Sequence, residues 1–148
     1  MSSSAAKSLT LLAMALLPAA LHAHSAKAVL DPGGDKATFT GLARVTCFDD
    51  GSGPAAYLMA RVRDNSPPVA GLLVNLQLLK GSQAISISDT VSGDAQYSDF
   101  AALPGGNGVY TMLLNKTRAG ARSFELEWHC MTAADLHTGT DIILDQYQ

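Results

Sequence analysis

The chain holds two cysteines, Cys47 and Cys130, and the residues around each alternate in character with a period of two. Over 38–47 the residues Phe39, Gly41, Ala43, Val45 and Cys47 share one parity. Over 123–130, Phe124, Leu126, Trp128 and Cys130 share one parity, while Glu125, Glu127 and His129 take the other. Successive side chains of a strand point to opposite sides, so both sulfurs are predicted to face inward with the apolar residues. Inward cysteines on an early and a late strand predict one bridge between two sheets, with Trp128 packed beside it.

The start of the chain predicts the oxidising compartment such a bridge needs. Lys7 is followed by the apolar run Leu9 to Leu17, then by the helix-breaking Pro18 and the small-residue end Leu21-His22-Ala23. The run is about half of the ~20 residues a membrane span requires, so 1–23 reads as a secretory signal peptide. The remainder, 24–148, reads as a single domain, periplasmic or secreted, with no membrane insertion once the leader is removed. Cleavage after Ala23 leaves His24 as the new N-terminus, whereas a competing site after Ala28 leaves Val29. A thiolate metal pair needs reduced sulfur, which export disfavours.

Turn chemistry divides the rest into short strands. Asp49-Asp50-Gly51-Ser52-Gly53-Pro54, Asp64-Asn65-Ser66-Pro67-Pro68, Lys80-Gly81-Ser82 and Pro104-Gly105-Gly106-Asn107-Gly108 separate runs such as Tyr57 to Arg63, Gly71 to Leu79, Val109 to Asn115 and Thr140 to Leu144. No amphipathic helix follows the leader. The expectation is an all-β, immunoglobulin-like antiparallel sandwich of seven to eight strands with one inter-sheet disulfide, Cys47 to Cys130.

Most function classes find no support. A net charge of −3 and the lack of a basic stripe exclude a nucleic-acid partner. The chain has no Gly-x-Ser-x-Gly elbow, no phosphate loop and no His-Glu-x-x-His, so no enzyme is expected. An oxygen-activating copper enzyme ranks lowest, because the chain is only 6% aromatic and has a single Trp. Asp49-Asp50-Gly51 reads as a solvated turn rather than a calcium loop. Met59, Met112 and Met131 are spread along the chain and form no methionine-rich Cu(I) motif.

The informative segment is 128–140, between the last two strands. Asp135 and His137 stand two apart, so an extended backbone would aim both to one side. An N-terminal His24 adds an α-amine and a ring nitrogen. Together His24, Asp135 and His137 offer three nitrogens and an oxygen, a set suited to tetragonal Cu(II). His129 reads as an outward surface residue beside Glu127, and Met131 as rim packing.

On these residues the sequence resembles the periplasmic copper-resistance carriers (CopC-like proteins). The likeness lies in His24 followed by Leu30 and Pro32, in Phe124-Glu125-Leu126-Glu127-Trp128, and in Ala134-Asp135-Leu136-His137 followed by Gly139 and Ile142-Ile143-Leu144. The resemblance implies a copper(II)-binding carrier or storage protein with metal ligands His24, Asp135 and His137, working with a periplasmic or membrane protein partner. The alternative is a metal-free immunoglobulin-like interaction module, an accessory subunit of a periplasmic assembly that binds by a sheet face or an edge strand.

Overall fold

Alternation of apolar and polar side chains produces strands wherever the chain runs between its Gly/Pro/Asp turns. The computed structural model describes residues 24–148, so the expected leader lies outside the described residues. Nine strands form: β1 (His24–Leu30), β2 (Gly41–Phe48), β3 (Ala55–Asp64), β4 (Val74–Lys80), β5 (Gln83–Ser88), β6 (Ala101–Pro104), β7 (Gly108–Lys116), β8 (Arg122–Thr132) and β9 (Gly139–Tyr147). They make two antiparallel sheets, β1-β8-β3-β6 and β5-β4-β7-β2-β9. The fold is the expected immunoglobulin-like sandwich, with nine strands where seven to eight were expected. β1 carries little bulky alternation and is a strand because β8 offers it an edge, pairing every position from His24↔Trp128 to Leu30↔Arg122. β6 is four residues long and ends at Pro104, a residue tolerated at a sheet edge.

The inward faces of both sheets form one core. Val45, Leu58, Val62, Leu76, Tyr110 and Met112 are fully buried in it. Cys47 on β2 and Cys130 on β8 are bonded across the two sheets, with Cα atoms 5.5 Å apart.

Two buried ion pairs tie the connections to this core. Just after β1, Asp31 accepts from the amides of Asp35, Lys36 and Gly120 at 3.0–3.1 Å. Its carboxylate also meets Lys116 Nζ at 2.9 Å, both side chains being almost wholly buried. Lys116 spends further donors on the carbonyls of Lys36 and Arg118, so the pair is well satisfied. Burial alone would raise the Asp31 carboxyl. The Gly120 amide, the Lys116 ammonium and the Lys36 amide outweigh it and hold the group well below the usual carboxylate range. On the other side, Arg122 Nη1 bonds Asp64 Oδ2 at 3.1 Å and the Pro67 carbonyl at 2.9 Å.

Residues 89–100, between β5 and β6, run alongside β3, where the amides of Ala95 and Ser98 donate to the carbonyls of Asp64 and Val62, and they turn Tyr97 and Phe100 over the outward face of the four-stranded sheet. Gly93 lets this segment pass close to the 66–68 turn: its φ is +68°, and a Cβ there would stand 2.2 Å from the Ser66 carbonyl oxygen.

Replacing both cysteines by alanine is expected to lower stability by about 4.5 kcal/mol, the chain-entropy value for a loop closed over 83 residues, measured by urea unfolding. Acid sensitivity follows from Asp31, Glu125 and Glu127, all held below the ordinary values of 3.8 and 4.5. A lowered folded pKa contributes stability that is complete above the unfolded value and lost as pH falls below it. The urea midpoint should therefore be flat down to about pH 5 and fall steeply below about pH 4. Asp31→Asn should be less stable at pH 7 and show a shallower fall, whereas burial shifts Asp89 the opposite way and offsets part of the effect.

Candidate metal centre

β8 sets the chemistry through its parity. Phe124, Leu126, Trp128 and Cys130 face the core, and Glu125, Glu127, His129 and Met131 face outward, as alternation predicts. The outward face is nevertheless covered, so His129 is 5% exposed and Glu125 8%. This corrects the expectation of a solvated surface pair at His129. The segment 89–100 places the rings of Tyr97 and Phe100 against the Arg61 guanidinium, 4.2 and 4.4 Å from the ring centroids. Arg63 in turn packs on Tyr97 and bonds Glu125.

A relay of polar contacts runs along this covered face. Arg61 Nε and Nη2 donate to Glu127 Oε2 at 2.9 and 2.7 Å. The other oxygen, Oε1, meets His129 Nε2 at 2.9 Å. Burial opposes ionisation of Glu127, but the bonds from His129 and Arg61 prevail and lower its pKa. An ionised carboxylate only accepts, so the nitrogen facing Glu127, Nε2, carries a proton, and in the neutral tautomer that this contact selects Nδ1 is the lone-pair nitrogen. That Nδ1 is buried and has no hydrogen-bond partner. A buried nitrogen left in this state calls for an explanation, because desolvating it without a bond is costly.

The rim loop brings a second imidazole to it. Thr132 nucleates the turn after β8: its hydroxyl accepts from the amides of Ala134 and Leu136, and its carbonyl from the amide of Asp135. The chain then returns to a bridge between Met131 and His137. β3 already occupies one edge of β8 at Met131, through Tyr57, so His137 lies on the edge that β1 uses. Its ring packs against that of His129 with centroids 4.4 Å apart.

Asp135 takes a different course. Its φ is +58°, so the backbone between Asp135 and His137 is not extended and the two-residue spacing does not aim both side chains together. Its Oδ1 accepts from Tyr57 OH at 2.7 Å, a bond that raises the Tyr57 phenol pKa. His24 stands opposite Trp128, its ring stacked at 6.1 Å on that inward-facing indole. Along β8, the register partners of His24 and His137 are three residues apart, roughly 10 Å at the rise of a strand. The structure thus brings His24 and His137 to one edge of β8 without converging His24, Asp135 and His137. Among the described residues, no group of three or more His, Cys, Asp or Glu side chains is arranged to hold a metal ion.

Two thioethers complete the neighbourhood. Met59 on β3 is the register partner of His129, and Met131 lies two residues beyond His129 on the same face. Their parity was readable, since Leu58, Ala60 and Val62 alternate with Met59. The pairing of β3 with β8 that joins the two methionines was not. The carboxylates of Asp49 and Asp50 accept from nearby amides in their own turn, in keeping with a solvated turn. No protein-family model, curated protein or solved structure matches the chain.

Proposed function

We propose that the protein is an exported copper-binding carrier, with a site centred on His129. The observation that carries this reading is the buried, unpartnered Nδ1 of His129, with His137 packed on its ring and Met59 and Met131 on the same face. A carboxylate on the far nitrogen of a histidine is the usual support of a metal-ligating imidazole, fixing its tautomer and raising its basicity. Glu127 supplies that contact and Arg61 steadies Glu127. Imidazole with thioether donors suits Cu(I). His24, once trimmed to an N-terminus, offers an α-amine and an imidazole beside Trp128 on the inner side of β8, a nitrogen pair suited to Cu(II) and separate from the His129 site. Asp135 is engaged by Tyr57 and stays outside this set. The disulfide and the apolar start of the chain support export.

A second reading, a module that adds a partner's strand, is favoured by β9. It is an edge strand whose Ile143 and Leu144 are 52% and 65% exposed. Under that reading the protein takes up no copper.

Anaerobic titration against a colorimetric Cu(I) chelator is expected to show one tightly held equivalent. Met59→Leu with Met131→Leu, near-isosteric changes, should weaken Cu(I) about tenfold or more while leaving the melting temperature within a few degrees. Glu127→Gln should weaken it about 10- to 100-fold through the His129 tautomer. Cu(II) should quench the single Trp, Trp128, and His24→Ala should remove the quenching. Absence of copper uptake, or Cu(I) binding indifferent to both methionines, overturns the reading.

A further inference from the structure

The other side of β8 borders a cleft of about 400 Å³ that enters the sandwich between β1 and β9. These strands are the edges of their sheets on the same side of the molecule. β1 lines the gap with Ala26, Lys27 and Ala28, and β2 adds Gly41 and Ala43, so four of the residues bordering it are small and leave the space open. The floor is Met112 and Leu114 from β7, and Phe124, Leu126 and Trp128 from β8 form one wall. On β9, Ile142 and Leu144 are register partners of the core residues Val45 and Ala43, yet they are 37% and 65% exposed. Inward-facing apolar residues left this bare mark a surface that lacks its cover.

One polar atom in the lining has no use within the fold. Trp128 is 4% exposed, and its indole Nε1–H is buried without a hydrogen-bond partner. An indole N–H can only donate, and a buried one normally finds an acceptor. The cleft, bordered also by Lys27 and Tyr147, therefore combines an apolar volume in the range of small-molecule sites with one buried donor that has no partner in the fold.

We infer that the cleft binds a single-chain amphiphile of the fatty-acid class. Its hydrocarbon chain lies between the sheets against Met112, Leu126 and Leu144, and an oxygen of its head group accepts from Trp128 Nε1 after a small adjustment of the ring. The walls favour a hydrocarbon chain over an inserted peptide strand. They are side chains of the two inner faces, and a backbone lying among them would bury its N–H and C=O groups unpaired. This site is separate from the His129 centre, whose residues face outward, and meets the copper reading only where His24 stacks on Trp128.

Trp128 is the only tryptophan in the chain, so its fluorescence reports directly on occupancy. Titration with octanoate, decanoate and dodecanoate, each below its micelle concentration, is expected to give a saturable change in emission. Affinity should rise about fourfold per added CH₂ until the cleft is filled. Ala28→Phe fills the mouth and should abolish binding while raising the melting temperature or leaving it unchanged. The Met59→Leu, Met131→Leu protein should bind dodecanoate as the parent does. The inference is overturned by a lack of saturable response, by affinity that does not grow with chain length, or by Ala28→Phe binding unimpaired. It is also overturned if an extended peptide with alternating leucines binds where dodecanoate does not, which would assign the β1 and β9 edges to strand addition.

Discussion

The Cys47–Cys130 bridge joins the two sheets at β8, and the inward position of Cys130 decides what the rest of that strand can do. Side chains alternate, so an inward Cys130 sends His129 and Met131 to the outside and Trp128 to the core. A slip of one residue would exchange the two sets and place Glu125 and Glu127 in the core, a register that burial of their charges forbids. The bridge, the apolar stripe and the acidic stripe thus enforce the same register from three directions. β1 and β3 then pair on either side of β8 and inherit it.

The outward face of this sheet is unusual in being covered. Tyr97 and Phe100 close over Arg61 and Arg63, which leaves the ion pairs Arg61–Glu127 and Arg63–Glu125 largely withdrawn from water. Exposed pairs of this kind contribute little, because solvent screens them. Here the covering rings and the paired geometry make the charges a framework that orients other groups. Glu127 is held by Arg61 on one oxygen and holds His129 with the other, so the imidazole has little freedom to turn. Orientation of this kind is what the proposed copper reading requires of its imidazole.

β8 therefore separates two environments. On its outer side stand soft and nitrogen donors around an oriented imidazole; on its inner side an indole N–H borders an apolar cleft. His24 stands at the junction, stacked on Trp128 from the edge strand whose start lies beside the rim loop. Under the two proposals, occupancy at either place would be felt by the indole, so a single fluorophore would report on both sides of the strand.

Much of the architecture was legible in local pattern. The period-two alternation around Cys47 and Cys130, the turn clusters and the apolar start gave the all-β class, the bridge and the inward or outward facing of each residue on β8, because side-chain parity is a property of the strand itself. β1 and β6 were not legible, since neither carries a hydrophobic pattern of its own and each exists by pairing with a neighbour. The rim loop was misread for a related reason. Asp135 has a positive φ, and the turn that Thr132 nucleates determines where its side chain points. Only the tertiary structure decided that Met59 meets His129 across two strands separated by some seventy residues. It also decided that a distant connection buries the face carrying His129, and that β1 and β9 stand apart over small residues. Those outcomes depend on register and on sheet packing, which are set by contacts between segments and leave no mark in the order of residues within any one of them.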